Sequence, residues 1–255
     1  LAVLCADDAE VRSILPRVGR PITTYGIGEG ADVRAIDIER RGQKTAYKVL
    51  RPGRREPLEI VVNLPGTHNV LNSLAAIAVA SELGIEDAAI RGGLAKFQGV
   101  DRRLQFIGRV RAGEGEAVVI DDYGHHPTEI TATLDAVRQA YPGRRVVLAF
   151  QPHRYTRTHD LLDDFATVLA TADALLVTEV YAAGEKPIAG ADGRAICRAV
   201  RSRGRVEPVF VAKVEELAIS LRSILRADDV VLAMGAGSIS AVAHALPQKL
   251  PVGGA

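Results

Sequence analysis

The chain has 255 residues, 47% hydrophobic and 25% charged, an ordinary globular composition long enough for one large domain or two smaller ones. A net charge of +1 with 4% aromatic residues gives no electrostatic or stacking footprint for nucleic acid, and no apolar run approaches the ~20 residues of a membrane-spanning helix. Cys5 and Cys197, the two cysteines, lack metal or redox spacing and read as reduced structural residues; with no secretory pattern at the amino end, the expected compartment is the cytoplasm.

Taken in chain order, residues 1–5 read as a strand already under way, which predicts a piece of a longer polypeptide. Residues 32–50 alternate apolar and polar side chains about a turn at Gly42, as hairpin strands do, and residues 58–63 form a further strand. A helix follows over 68–83, with Leu71, Leu74, Ala75, Ala78 and Val79 on one face and Gly84 just past its end; a second covers 86–96. The polar stretch 97–103 separates two periodic regimes and sets the expected boundary, with residues 1–102 in one domain and 103–255 in the next. Beyond it, 105–111 should pair with 118–120 through Gly113-Glu114-Gly115. Strands are expected at 118–121, Val146–Phe150, Ala174–Thr178, Pro208–Val211 and Val230–Met234, with helices between and after them. That alternation predicts an α/β fold with a doubly wound, mostly parallel sheet. The tail, 250–255, is expected to fray.

The chemistry concentrates where strands end. Asp121-Asp122-Tyr123-Gly124-His125-His126-Pro127 joins the end of an apolar strand to a helix opening at Pro127. Open α/β sheets bind ligands at this end of their strands; the plainer alternative is a capped turn with solvated acids. Arg154 and Arg157 follow the next strand, whose loop should share that edge, so His125, Arg154 and Arg157 are expected to form a cationic pocket for carboxylates. The alternative pairs the two arginines with Asp160 or Asp163. Residues 181–186 line the same edge with no assigned task, and Met234-Gly235-Ala236-Gly237-Ser238 reads as a tight packing turn. Asn69 and Asn72 fall on one helical face, where carboxamides suit an adenine edge or a ribose; capping by Thr67 and Asn69 is the alternative. Arg102 and Arg103 suit phosphate, though paired arginines in a linker are also common as solvated charge.

Four stretches agree in order with one family. Asp-Asp-Tyr-Gly-His-His-Pro-Thr-Glu at 121–129, Leu-Pro-Gly-Thr-His-Asn-Val-Leu-Asn at 64–72 and Gln-Gly-Val-Asp-Arg-Arg at 98–103 resemble signatures of the Mur ligases. Phe-Gln-Pro-His-Arg-Tyr-Thr-Arg-Thr at 150–158 resembles the loop of their alanine-adding branch. The resemblance runs from Leu1 to Leu246. It implies the distal part of a central mononucleotide-binding α/β domain followed by a Rossmann-like, amino-acid-binding domain. It further implies ATP- and Mg²⁺-dependent joining of L-alanine to UDP-N-acetylmuramate through an acyl phosphate, in cytoplasmic peptidoglycan precursor synthesis. Asn69, Asn72, Arg103 and Asp122 would then meet the nucleotide, Tyr123, Arg154 and Arg157 the substrates, and His125 the incoming amino acid or the transferring phosphate as the catalytic group. No residue of the chain is expected to ligate metal; the resemblance places the metal ligands upstream, together with a phosphate loop. No Gly-x-x-x-x-Gly-Lys-Ser/Thr stretch occurs in this sequence, so the chain by itself is expected to be inactive. Two other readings stay open: the branch that recycles a preformed tripeptide, and a non-catalytic ligand-binding module.

Overall fold

The structure, a computed structural model, describes residues 1–252 and divides into two compact units between Gly99 and Val100. That split precedes the expected boundary at Arg102. The reason is local: the Arg103 N–H donates to the Val100 carbonyl (3.1 Å), the Tyr123 N–H to the Arg102 carbonyl (2.7 Å) and the Leu104 N–H to Asp122 Oδ2 (2.9 Å). Residues 100–104 are thus bound into the second unit.

The first unit holds a five-stranded sheet in chain order: β1 (Ala2–Cys5), β2 (Ile22–Gly26), β3 (Val33–Arg41), β4 (Lys44–Leu50) and β5 (Leu58–Val62). The β1–β2 and β2–β3 pairs are parallel, and β3–β4–β5 is an antiparallel meander. Alternation decides which side chains of β5 enter the core: Leu58, Ile60 and Val62 are buried, while Glu59 and Val61 face out. Strand β2 escapes sequence reading because four of its five residues are only half-buried and show no alternation. Helices α1 (Ala9–Ile14), α2 (Thr67–Glu82) and α3 (Asp87–Lys96) complete the unit. The buried face of α2 is Val70, Ser73, Leu74, Ile77 and Ala78, not the expected set, and Val79 is 47% exposed. The expected face missed by about one residue because Ser73 occupies a core position. Its hydroxyl donates to the Val70 carbonyl and meets the buried Tyr47 hydroxyl, so a polar residue is satisfied inside.

The second unit is a six-stranded sheet in the order β10-β9-β8-β11-β7-β6. Its strands are β6 (Gln105–Ala112), β7 (Gly115–Asp122), β8 (Val146–Phe150), β9 (Ala174–Thr178), β10 (Pro208–Val211) and β11 (Val230–Met234). Every pairing is parallel except the β6–β7 hairpin. All residues of β8 and β11 are buried, the continuous apolar signature of strands covered on both faces. Helices α4 (Pro127–Ala140), α5 (Tyr155–Asp160), α6 (Leu162–Leu169), α7 (Gly193–Arg201), α8 (Leu217–Ile224) and α9 (Ile239–Lys249) flank the sheet. One core packs Ile130, Leu134, Phe165 and Ile196 onto it, and the other Leu217, Leu221, Ala243 and Leu246. Strand β11 lies between β7 and β8, so the chain's last strand enters the middle of the sheet. The tail departs from expectation at its start. Leu250 is 7% exposed, its N–H donates to the Leu246 carbonyl, and its carbonyl accepts from the Arg111 N–H at 2.9 Å. The remainder of that expectation, at residues 253–255, lies outside the described residues.

Candidate active site

At the carboxyl end of β7 successive side chains point to opposite faces. Asp122, 2% exposed, faces α4. Its Oδ1 accepts from the Gly124 N–H (2.8 Å) and the Thr133 hydroxyl (3.3 Å), and its Oδ2 from the Leu104 N–H (2.9 Å). Burial pushes this carboxyl upward, against the N–H groups of Gly124 and Leu104. Both oxygens are therefore engaged by donors of the chain itself. Asp121 faces α9 and is wholly buried. Its Oδ2 accepts from the Ser240 hydroxyl at 2.5 Å and lies 3.6 Å from both Arg102 Nε and His244 Nε2.

The turn that follows is held rigidly. A Cβ on Gly124 would stand 2.4 Å from the Met234 terminal methyl and 2.9 Å from Asp122 Oδ1, so a larger residue there would require those side chains to shift. His126 caps α4, its Nδ1 accepting from the Thr128 N–H at 3.3 Å. Glu129 Oε2 reaches back to the N–H groups of His125 (2.9 Å) and His126 (3.1 Å), completing a capping box. Burial alone would raise the Glu129 carboxyl, but those two N–H groups and the charges of His125 and Arg103 outweigh it and hold it below the ordinary range. The imidazole of His125 is left at the mouth. Its Nδ1 is 3.1 Å from the Tyr123 carbonyl, and its ring meets the Tyr123 ring edge-on at 5.3 Å.

The loop after β8 comes to the same place across β11. The Gln151 N–H donates to the Met234 carbonyl (2.9 Å), and its side chain accepts from the Ile239 N–H (2.9 Å) at the start of α9. A Cβ on Gly237 would lie 2.5 Å from Gln151 Oε1, so residues 234–238 are the packing turn expected. His153 follows. Its ring centroid is 5.5 Å from that of His125 and stacks on Tyr181 at 5.6 Å. Arg157 donates from one terminal nitrogen to the His153 carbonyl (3.2 Å) and approaches its Nδ1 (3.3 Å). Arg154, half-exposed, is 3.8 Å from Glu185, which also accepts from the Thr156 N–H and hydroxyl. Neither alternative partner is used: Asp160 pairs with His159, and Asp163 with Arg203. His125, Arg154 and Arg157 thus gather around His153, which the sequence reading left without a task. Tyr181 and Glu185, from the loop noted after the Ala174–Thr178 strand, complete the group.

Burial, then the charges of His125, Arg157 and Arg154, lower the His153 pKa below 6.5, with Glu185 opposing. The folded form therefore favours neutral imidazole. Its contribution to stability is fully present above the ordinary value near 6.5 and is lost as pH falls below it, because the unfolded chain takes up the proton more readily. In an NMR titration, His153 should protonate below pH 6.5, and Arg157→Gln should raise its midpoint. An unchanged midpoint in that variant would remove Arg157 from the electrostatics of the site.

Arg103 is half-exposed, 3.6 Å from Glu129 and 5.8 Å from the Tyr123 ring. In the first unit, α2 follows Gly66, whose φ is +96°, with no side-chain cap. Asn69 donates to the Pro65 carbonyl (2.8 Å), and the Asn72 amide lies 3.5 Å from Asn69 Oδ1. Thr67 and Asn69 therefore do not cap α2; Asn69 and Asn72 instead share one face beside its first turn. Among the described residues, no group of three His, Cys, Asp or Glu side chains is arranged to hold a metal, and no helix is long and apolar enough to cross a membrane.

A doubly wound sheet with imidazole and guanidinium groups gathered at the carboxyl ends of β7 and β8 defines a Rossmann-like domain. The chain belongs to the Mur ligase family: residues 102–237 match the glutamate ligase domain of that family, and residues 1–80 its middle domain. It is 54% identical to the UDP-N-acetylmuramate–L-alanine ligase of Methylococcus capsulatus over 98% of its length and 52% of that protein. It is 56% identical to the ligase of the same name from Burkholderia thailandensis over 97% and 53%. The chain thus spans about half the length of the curated relatives it matches. The crystal structure of UDP-N-acetylmuramate–alanine ligase from Thermotoga maritima superposes with a TM-score of 0.78 at 30% identity, covering 98% of this chain and 51% of that one. A murein peptide ligase from Psychrobacter arcticus, at 24% identity and TM-score 0.69, shares the fold over 99% of this chain and 52% of its own.

Proposed function

We propose that this chain is part of an enzyme that joins L-alanine to UDP-N-acetylmuramate at the expense of ATP. The observation that carries this reading is the cationic cluster of His125, Arg154 and Arg157 around His153, supported by the likeness to ligases of that name over nearly the whole chain. The γ-phosphoryl group of ATP passes to the muramyl carboxylate, releasing ADP. The alanine amine then attacks the acyl phosphate carbon, the C–O bond to phosphate breaks, and an amide, phosphate and a proton result. Both steps concentrate negative charge, which positioned cations stabilise best in the transition state. Arg154 and Arg157 hold carboxylate oxygens, His125 lies at the incoming amine and phosphate, and Tyr123 walls that position. Asn69, Asn72 and Arg103 contact the nucleotide, while Asp122 acts from inside by fixing the turn that carries Tyr123 and His125. Mg²⁺ would supply charge neutralisation at the ATP phosphates.

The test is ADP release by a full-length Mur ligase carrying this chain. Release should require both UDP-N-acetylmuramate and L-alanine; preference for a preformed tripeptide would replace this reading with the recycling activity. Residues 1–255 alone should release no ADP, since the sequence contains no phosphate loop. Alanine-dependent release by that chain would refute this expectation.

A further inference from the structure

Arg102 is set apart from its neighbour Arg103 by what it touches. Its backbone has φ +61°, a left-handed conformation that a non-glycine residue keeps only where its surroundings enforce it. Here the Arg102 N–H donates to Gln105 Oε1 (2.8 Å), and its carbonyl accepts from the Tyr123 N–H (2.7 Å). That twist turns the side chain inward to 26% exposure, against 52% for Arg103. One terminal nitrogen donates to the Gly235 carbonyl at 2.5 Å, and Nε lies 3.6 Å from the buried carboxylate of Asp121. The guanidinium carbon sits 4.6 Å from the centroid of the Tyr123 ring. The same ring meets His125 edge-on at 5.3 Å.

We infer that Arg102 is a positioning residue, gripping Tyr123 by backbone and guanidinium together and so fixing the ring that orients His125; this rests on the reading of Tyr123 and His125 as substrate-facing groups. Two roles must be separated. As counter-charge to Asp121, Arg102 supports the fold, and any cation in its place would serve. As a flat surface over Tyr123 that also reaches the Gly235 carbonyl, it needs the planar guanidinium, which lysine lacks.

Arg102→Lys in chain 1–255 separates them. Its melting temperature should stay near that of the parent, while Arg102→Met, which removes the charge, should melt earlier. The aromatic NMR signals of Tyr123 and the ring protons of His125, assigned through Tyr123→Phe and His125→Gln, should shift in Arg102→Lys. In a full-length Mur ligase carrying this chain, the same substitution should raise the KM for alanine roughly two- to tenfold, the range expected from losing one cation–π contact, and leave the KM for ATP unchanged. Wild-type Tyr123 and His125 signals in Arg102→Lys would overturn the inference, as would shifts found only in variants that melt early. If the unmodified full-length protein uses no amino acid, the proposed function fails, and the NMR result alone decides the role of Arg102.

Discussion

Arg154→Lys in a full-length Mur ligase carrying this chain is expected to lower kcat/KM for alanine by roughly ten- to a hundredfold, the cost of losing one charge-assisted contact of about 1.5–3 kcal/mol. Lysine keeps the charge but not the planar fork that grips a carboxylate through two parallel bonds. The melting temperature should barely move. Arg154 is half-exposed and its partner Glu185 stands at 3.8 Å, an exposed ion pair of the kind worth about 0–1 kcal/mol. Glu185 also keeps its two contacts from Thr156 when the arginine is gone. Steady-state kinetics beside thermal melts decide the matter: early melting with normal turnover per folded molecule would make Arg154 a structural partner and dissolve the pocket.

Asp122→Ala is expected to act on the fold first, with a loss of about 3–5 kcal/mol in the urea-unfolding free energy of chain 1–255. The substitution strands three donors around a buried site: the N–H groups of Gly124 and Leu104 and the Thr133 hydroxyl. Each buried donor left unmatched costs about 1–3 kcal/mol, and partial relaxation keeps the sum below the maximum. Asp122→Asn retains volume and one acceptor oxygen, and it also escapes the burial cost that pushes the carboxyl upward; its loss should be smaller. A variant with parental stability but weakened ATP binding would instead support the nucleotide role that the resemblance implies.

Much of this organisation was legible because it is local. Val146–Phe150, Ala174–Thr178, Pro208–Val211 and Val230–Met234 are strands as expected, since short, mostly apolar runs bounded by turns have few other ways to satisfy both backbone and side chains. Pro127 opens its helix for the same kind of reason, its fixed φ and missing N–H costing nothing there. Periodicity failed where a polar side chain lay inside, as Ser73 does on α2, because its satisfaction depends on Tyr47 from a distant strand.

What the sequence by itself determined is which chemical groups lie at strand ends: the acids and imidazoles of 121–126, and the arginines at 154 and 157. Only the tertiary structure decided which of those groups are buried among partners and which remain exposed. Inserting β11 between β7 and β8 brings the Gly235 carbonyl to Arg102 and carries α9 to Asp121. Packing α4 on the sheet brings the Thr133 hydroxyl to Asp122, and the loop after β9 lays Tyr181 on His153. These partners lie between 11 and 133 residues apart along the chain, and hydrogen bonding and desolvation depend on distance in space, which local sequence pattern does not carry.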